Sequence, residues 1–192
     1  RTLYKLVFAC LLLSACKPVV EVASNNNQTK DFESDFIISF GSCNNPERNN
    51  ALWDDVLKNE PNIWIWGGDI IYSDTEDMSK MAEDYNKQLK DEGYKSLYTS
   101  VEIHGTWDDH DYGVNDGGEE YKMKSESQQL LLDFLGVDKN SKRRSQKGVY
   151  YSKDFELEAG NIKLIVLDTR YFRTALKKSD EKGKRYAPTT EE

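Results

Sequence analysis

Histidine is nearly absent from this chain: His104 and His110 are the two imidazoles available for acid–base or metal chemistry. Cysteine is scarce as well, with three residues, Cys10, Cys16 and Cys43. The first two fall in the N-terminal apolar segment and its end, so the body of the chain holds a single thiol and no intramolecular disulfide is available to it. Long apolar runs are missing. Leu6 to Leu13 has the length of a secretory core region, too short for a stable bilayer anchor, and no other segment could span a membrane. Positive charge is outnumbered: 26 Lys and Arg against 34 Asp and Glu leave a formal net charge of −8. That balance argues against nucleic acid as a partner, and it would repel a phosphate-bearing substrate unless metal ions reversed the sign locally. No serine sits in a nucleophile-elbow context, which removes the usual Ser/His/Asp arrangement. No internal repeat is present.

What the chain does have is enough length, 192 residues, for one domain with a real core, and 11 Tyr and 4 Trp placed mostly inside apolar runs, as in a folded protein. The first residues read as an export signal: Arg1 and Lys5 supply positive charge before the apolar stretch, and Leu13-Ser14-Ala15-Cys16 resembles the lipobox of bacterial lipoproteins, with Cys16 acylated. Acyl chains would tether the protein to a membrane surface, so the expected location is periplasmic or cell-surface. Residues 1–16 are then the signal with its lipobox, 17–35 a polar flexible tether containing Asn25-Asn26-Asn27, and 36–192 the folded domain. Since the sequence starts at Arg1 and not at Met, it is expected to be a portion of a longer chain.

Along the domain, Phe36 to Phe40 is a short β-like run ending at Gly41-Ser42-Cys43-Asn44. Asn45-Pro46 predicts a helix start, with Leu52, Trp53, Val56 and Leu57 on one face and Pro61 at the end. Ile63 to Trp66 is an all-apolar strand of the kind buried on both faces, running into Gly67-Gly68-Asp69. Ser73 with Glu76 fits a capping box before a helix carrying Met78, Met81, Ala82 and Tyr85. Ser100 to Ile103 reads as the start of a strand, Ser125 to Leu135 as a helix stopped by Gly136, Lys142-Arg143-Arg144 as a solvated loop, and Val149 to Leu157 with Ile162 to Leu167 as a hairpin ending at Asp168-Thr169-Arg170. The stretch after Ala175 is charged and carries no signal. The order is that of an α/β protein, and each polar constellation follows a strand, where open α/β sheets bind ligands.

The densest constellation is Thr106-Trp107-Asp108-Asp109-His110-Asp111-Tyr112-Gly113. Clustered carboxylates repel one another, and a cation is the simplest neutraliser, so this stretch reads as a metal site with a histidine beside it; a solvated acidic loop is the alternative. An EF-hand is excluded, because Gly113 and Val114 occupy places that need a ligand and a glycine. Taken alone, Cys43 fits a small buried hydrophobe and Tyr72 a packed aromatic as readily as ligands. His104 reads as a packed histidine and Trp107 as a support for the loop.

Taken together, Phe40-Gly41-Ser42-Cys43, Gly68-Asp69-Ile70-Ile71-Tyr72, the Thr106 to Gly113 stretch with Asn115-Asp116, and Leu167-Asp168-Thr169-Arg170 resemble the motifs of the PhoD-like alkaline phosphatases, a branch of the calcineurin-like metallophosphatases. The resemblance implies a two-sheet β-sandwich flanked by helices, and hydrolysis of organic phosphate esters by metal-activated water outside the cytoplasm. It implies ferric iron held by Cys43, Asp69 and Tyr72, with Asp69 bridging to a calcium ion, or another divalent cation, on Asp109 and Asp108. It implies that His110 acts on the phosphoryl group or the leaving oxygen with Asp111 orienting its ring, and that Arg170 meets a phosphate oxygen; an ion pair of Arg170 with Asp168 is the alternative. A further Gly-Asp-x-His-type motif is part of the same resemblance, and this chain has no third histidine to supply it. The sandwich and the metal shell are therefore expected to be incomplete at the C-terminus, in a fragment of a longer phosphatase or an inactive relative. A phosphodiesterase on the same site and a non-catalytic calcium-binding surface lipoprotein are the competing functions.

The lipobox reading is checked at one residue. Mature protein should partition into detergent and incorporate labelled palmitate, and Cys16→Ser should lose both; unchanged membrane association in that variant rejects acylation.

Overall fold

The computed structural model describes residues 34–48 and 50–188. The signal segment, Cys16 and nearly all of the tether lie outside the described residues. Three strands, β1 (Ile38–Gly41), β2 (Ile63–Gly67) and β3 (Glu102–Thr106), form a parallel sheet in the order β1-β2-β3. Parallel neighbours require crossovers, and helices provide them. Helix α1 (Trp53–Leu57) links the first pair, and α2 (Met78–Lys90) and α3 (Glu92–Ser100) link the second. After β3 come the single-turn helix α4 (Asp109–Tyr112), α5 (Lys124–Phe134), and an antiparallel pair, β4 (Tyr151–Leu157) with β5 (Gly160–Val166). The class is mixed α/β.

β2 is central because its residues are the most apolar: Ile63, Trp64 and Trp66 are all buried. The edge strand β1 differs, with Phe40 79% exposed. Behind the sheet, Trp66 packs edge-on against Trp53 and Trp64 at 5.8 and 5.3 Å between ring centroids and donates its indole N–H to Tyr94 Oη at 3.0 Å. Aromatic rings bury the largest areas per residue, so this cluster supplies a large share of the core. Leu131 and Phe134 of α5 and Leu135 at its C-cap join it, as their helical spacing predicts.

Several local expectations change. Asn45 does not cap a helix: its side chain accepts the Glu47 N–H at 2.9 Å in a local turn, and α1 begins only at Trp53. Ser73 is not the cap of α2 either. Asp77 is, accepting from Ser79 N at 2.9 Å, while the Ser73 hydroxyl donates to Asp84 at 2.9 Å. Helix α3 has no counterpart in the sequence reading. Asp91 breaks α2 with an extended ψ of 121° and caps α3 by accepting the Tyr94 N–H at 2.8 Å, so Ser100 ends a helix and does not begin a strand. Lys142–Arg144 is a 3₁₀ turn and not a solvated loop, because Arg143 sits over the Tyr151 ring at 3.6 Å and Arg144 donates to the Asp138 carbonyl at 3.0 Å. The expected hairpin forms with shifted bounds: it is in register from Tyr151↔Val166 to Leu157↔Gly160, so Gly160 and Asn161 pair within the second strand, which starts before Ile162.

Gly105 lies in β3 against the tryptophan cluster, where an added Cβ would sit 2.7 Å from Trp66 Cβ. Gly105→Ala should therefore cost about 1–3 kcal/mol by overpacking, read as a lower urea midpoint at unchanged slope.

Candidate metal centre

The site is assembled where the strands end. Gly68 leaves β2 with φ +103°, and a Cβ there would lie 2.4 Å from Asp108 N, so only glycine lets the two strand-end loops touch backbone to backbone. On the other side, Cys43 N donates to Gly68 O at 3.2 Å and Asn44 N to Asp69 O at 2.8 Å, drawing the end of β1 alongside. Asn44 is buried and reinforces the join by donating to Ile70 O at 3.1 Å.

Asp111 locks the third loop to the second. Its carboxylate, fully buried, accepts Asp69 N at 3.0 Å and Asp108 N at 2.7 Å on one oxygen and Ile70 N at 3.1 Å on the other. Burial pushes this carboxyl up to about 7, while the three N–H donors pull the other way. Asp168 plays the matching part at the end of β5, accepting Trp107 Nε1 at 3.0 Å, Tyr171 N at 2.9 Å and Val149 N at 2.9 Å.

These locks bring Asp69, Asp109 and His110 together, with one potential ligand atom from each lying within 4.8 Å of the others. Cys43 Sγ is 3.6 Å from Asp69 Oδ2, and the thiol is exposed and not a buried hydrophobe. Tyr72 is 40% exposed and lies 4.3 Å from the His110 ring, so it is no core aromatic. Its phenol is pushed up to about 12 by burial, then by Asp69 and Cys43. Burial and the neighbouring Asp109 likewise hold Asp69 above the usual carboxylate range. Burial also acts on Asp109, but the Asp116 N–H, Arg170 and His110 outweigh it and keep that carboxyl low. Asp109 thus repels the Asp69 charge, and Asp69 that of a Tyr72 phenolate, and a cation among them would relieve the repulsion.

Other expected site residues take different places. Asp108 is not in the cluster: Arg170 Nε donates to its Oδ1 at 2.6 Å. Arg170 therefore pairs with Asp108 and not with Asp168, which receives only its backbone N–H, and the guanidinium reaches within 3.8 Å of Asp109. Asp111 does not orient the His110 ring, since its oxygens are taken up by backbone N–H groups. The ring meets Asp74, whose Oδ2 is 2.6 Å from Nδ1, leaving Nε2 for a cation or a substrate. Asp74 was missed because nothing in its spacing from His110 marks it. His104 is packed as expected, with Nδ1 2.8 Å from Tyr151 Oη, and Trp107 is buried. A cavity of about 830 Å³ beside β1 reaches Cys43 and Asn44 and is walled by apolar residues such as Phe40, Trp53 and Trp64 together with polar ones such as Arg48, Asn50 and Asp55; it does not include Asp69, Asp109 or His110.

No family model, curated protein or solved structure matches the chain.

Although burial opposes it, Asp74, Asp109 and Asp69 together raise the His110 pKa above its ordinary value. The stability this contributes is fully present below a pH of about 6.5 and is lost as pH rises through the higher folded value. In cation-free protein, Asp74→Asn should lower the His110 midpoint followed by NMR and flatten stability over that window. An unmoved midpoint means that Asp74 does not govern the ring.

Proposed function

We propose that this chain forms the cation-binding half-site of a metal-dependent phosphoesterase of the PhoD-like alkaline phosphatase kind, with the parallel sheet and the β4–β5 pair as the two layers of a metallophosphatase sandwich. The observation that carries the proposal is the convergence of Asp69, Asp109 and His110 at successive strand ends, with Cys43 beside Asp69 and Tyr72 beside His110. The donor set fits the expected ions. A thiol, a phenol and a carboxylate suit ferric iron, and Asp69 with Asp109 suits calcium or another hard divalent cation. When bound, such ions supply Lewis acidity toward phosphoryl oxygens and lower the pKa of water.

The chain's own residues do the rest. Asp69 and Asp109 offer the charge that holds the cations, and Asp111 fixes the loops that carry both. Asp74 holds His110 at Nδ1 and favours its protonated form, so Nε2–H can neutralise a phosphoryl oxygen or protonate the leaving oxygen. Arg170, steadied by Asp108, adds positive charge beside Asp109, within reach of a phosphate ester. The substrate class is organic phosphate esters, and an exported, lipid-anchored location belongs to the same proposal.

The product of the complete gene should take up iron and calcium and hydrolyse nitrophenyl phosphate. Asp69→Asn should lose cations and turnover together. His110→Asn should keep most of the cation content and slow turnover on the order of a hundred- to ten-thousandfold. Preference for bis-nitrophenyl phosphate would make the enzyme a diesterase. Calcium uptake without hydrolysis of either ester would leave the binding lipoprotein as the function.

A further inference from the structure

The stretch after Ala175, silent in the sequence, folds back as a small hairpin. Lys178 bridges Tyr186, Ala187 N donates to Lys177 O at 2.8 Å, and Ser179 N to Arg185 O at 3.3 Å. Two residues of its returning arm meet one carboxylate: the Arg185 guanidinium and the Tyr186 hydroxyl both bond Asp116 Oδ2. A second arm comes from Arg173. Its guanidinium donates to the Asp116 carbonyl and, at 2.7 Å, to the Gly117 carbonyl, while its own carbonyl accepts Glu119 N at 2.7 Å.

Asp116 needs this support. It holds φ +59°, a left-handed conformation that is strained for a residue with a Cβ. In that conformation its backbone N–H points at Asp109 Oδ2, 2.8 Å away. Asp109 is one of the clustered carboxylates, so the chain of contact runs from Arg185 and Tyr186 through Asp116 to a candidate cation ligand. The charge argument agrees. Asp116 is a further carboxylate beside an already repelling group, and Arg185 neutralises it where it would otherwise disturb the orientation of Asp109.

We propose that Arg185 and Tyr186, with Arg173, are positioning residues that clamp Asp116 so that its N–H fixes Asp109 for cation binding. This rests on the cation-site reading above. A bland surface ion pair, of the sort Arg185 would form at 69% side-chain exposure, contributes almost nothing to stability and should leave Asp109 indifferent.

The test uses the purified protein, Mn²⁺ as the probe and amide exchange at Asp116 without metal. Arg185→Ala/Tyr186→Phe should exchange the Asp116 amide about tenfold faster and bind Mn²⁺ about tenfold more weakly, the usual scale for groups that orient a ligand, with Tm almost unchanged. Arg185→Lys with Tyr186 intact should recover most of the affinity. Lys184→Ala, which removes a neighbouring exposed pair with Glu181, should change neither reading. Wild-type exchange and affinity in the double variant overturn the clamp while leaving the cation site standing, and so does faster exchange at unchanged affinity. A wild-type protein that takes up no Mn²⁺ overturns both the cation site and the clamp.

Discussion

The candidate metal centre is held in place chiefly by one buried carboxylate. Asp111 has no contact with water, yet it accepts N–H groups from the backbone of Asp69, Ile70 and Asp108. Two loops that follow different strands are thereby fixed to a common point. An apolar residue of the same shape, such as leucine, would leave those donors unsatisfied, and each orphaned donor in a dry interior costs about 1–3 kcal/mol. The acid that looked like a partner for histidine is instead the fastener that gives the clustered acids, Asp69 and Asp109, their positions.

The parallel sheet supplies the other half of that constraint. Parallel strands send all their C-terminal ends to the same side, and here the three ends deliver Cys43, Asp69 and the Asp108 to Asp111 turn. Asp168 repeats the device at the end of β5, reaching back to Trp107 through a side chain and to Tyr171 through the backbone. Acids therefore divide into two populations. Asp111 and Asp168 are consumed by N–H groups, and Asp69 and Asp109 keep oxygens turned toward one another.

Much of this was legible beforehand. The apolar block Ile63 to Trp66 declared a central strand, the Leu130 to Leu135 spacing declared α5, and the hairpin followed from two apolar runs around a glycine. The gathering of acids after strands also showed in the order of residues. Division of labour among those acids did not, because it depends on which oxygens face backbone N–H groups across the sheet. Asp74 escaped for the same reason, and so did the contacts of Asp116, which the motif included without a partner: His110 and Arg185 stand 36 and 69 residues from them. Helix α3 was hidden because Asp91 both ends one helix and caps the next, so the two read as a single polar run.

Cys43 and Asp69 share a backbone feature with a wider consequence. Both occupy the left-handed region, at φ 56° and 51°, where glycine would sit without penalty. Each side chain is thus kept at a conformational cost, which a role in holding a cation would account for. Selection for thermal tolerance alone would favour glycine at both positions and would quietly dismantle the centre. Sequences drifting under that pressure would keep the fold, gain stability and lose the thiol and the carboxylate together, which makes these two positions a gauge of whether a relative still has work for its cluster to do.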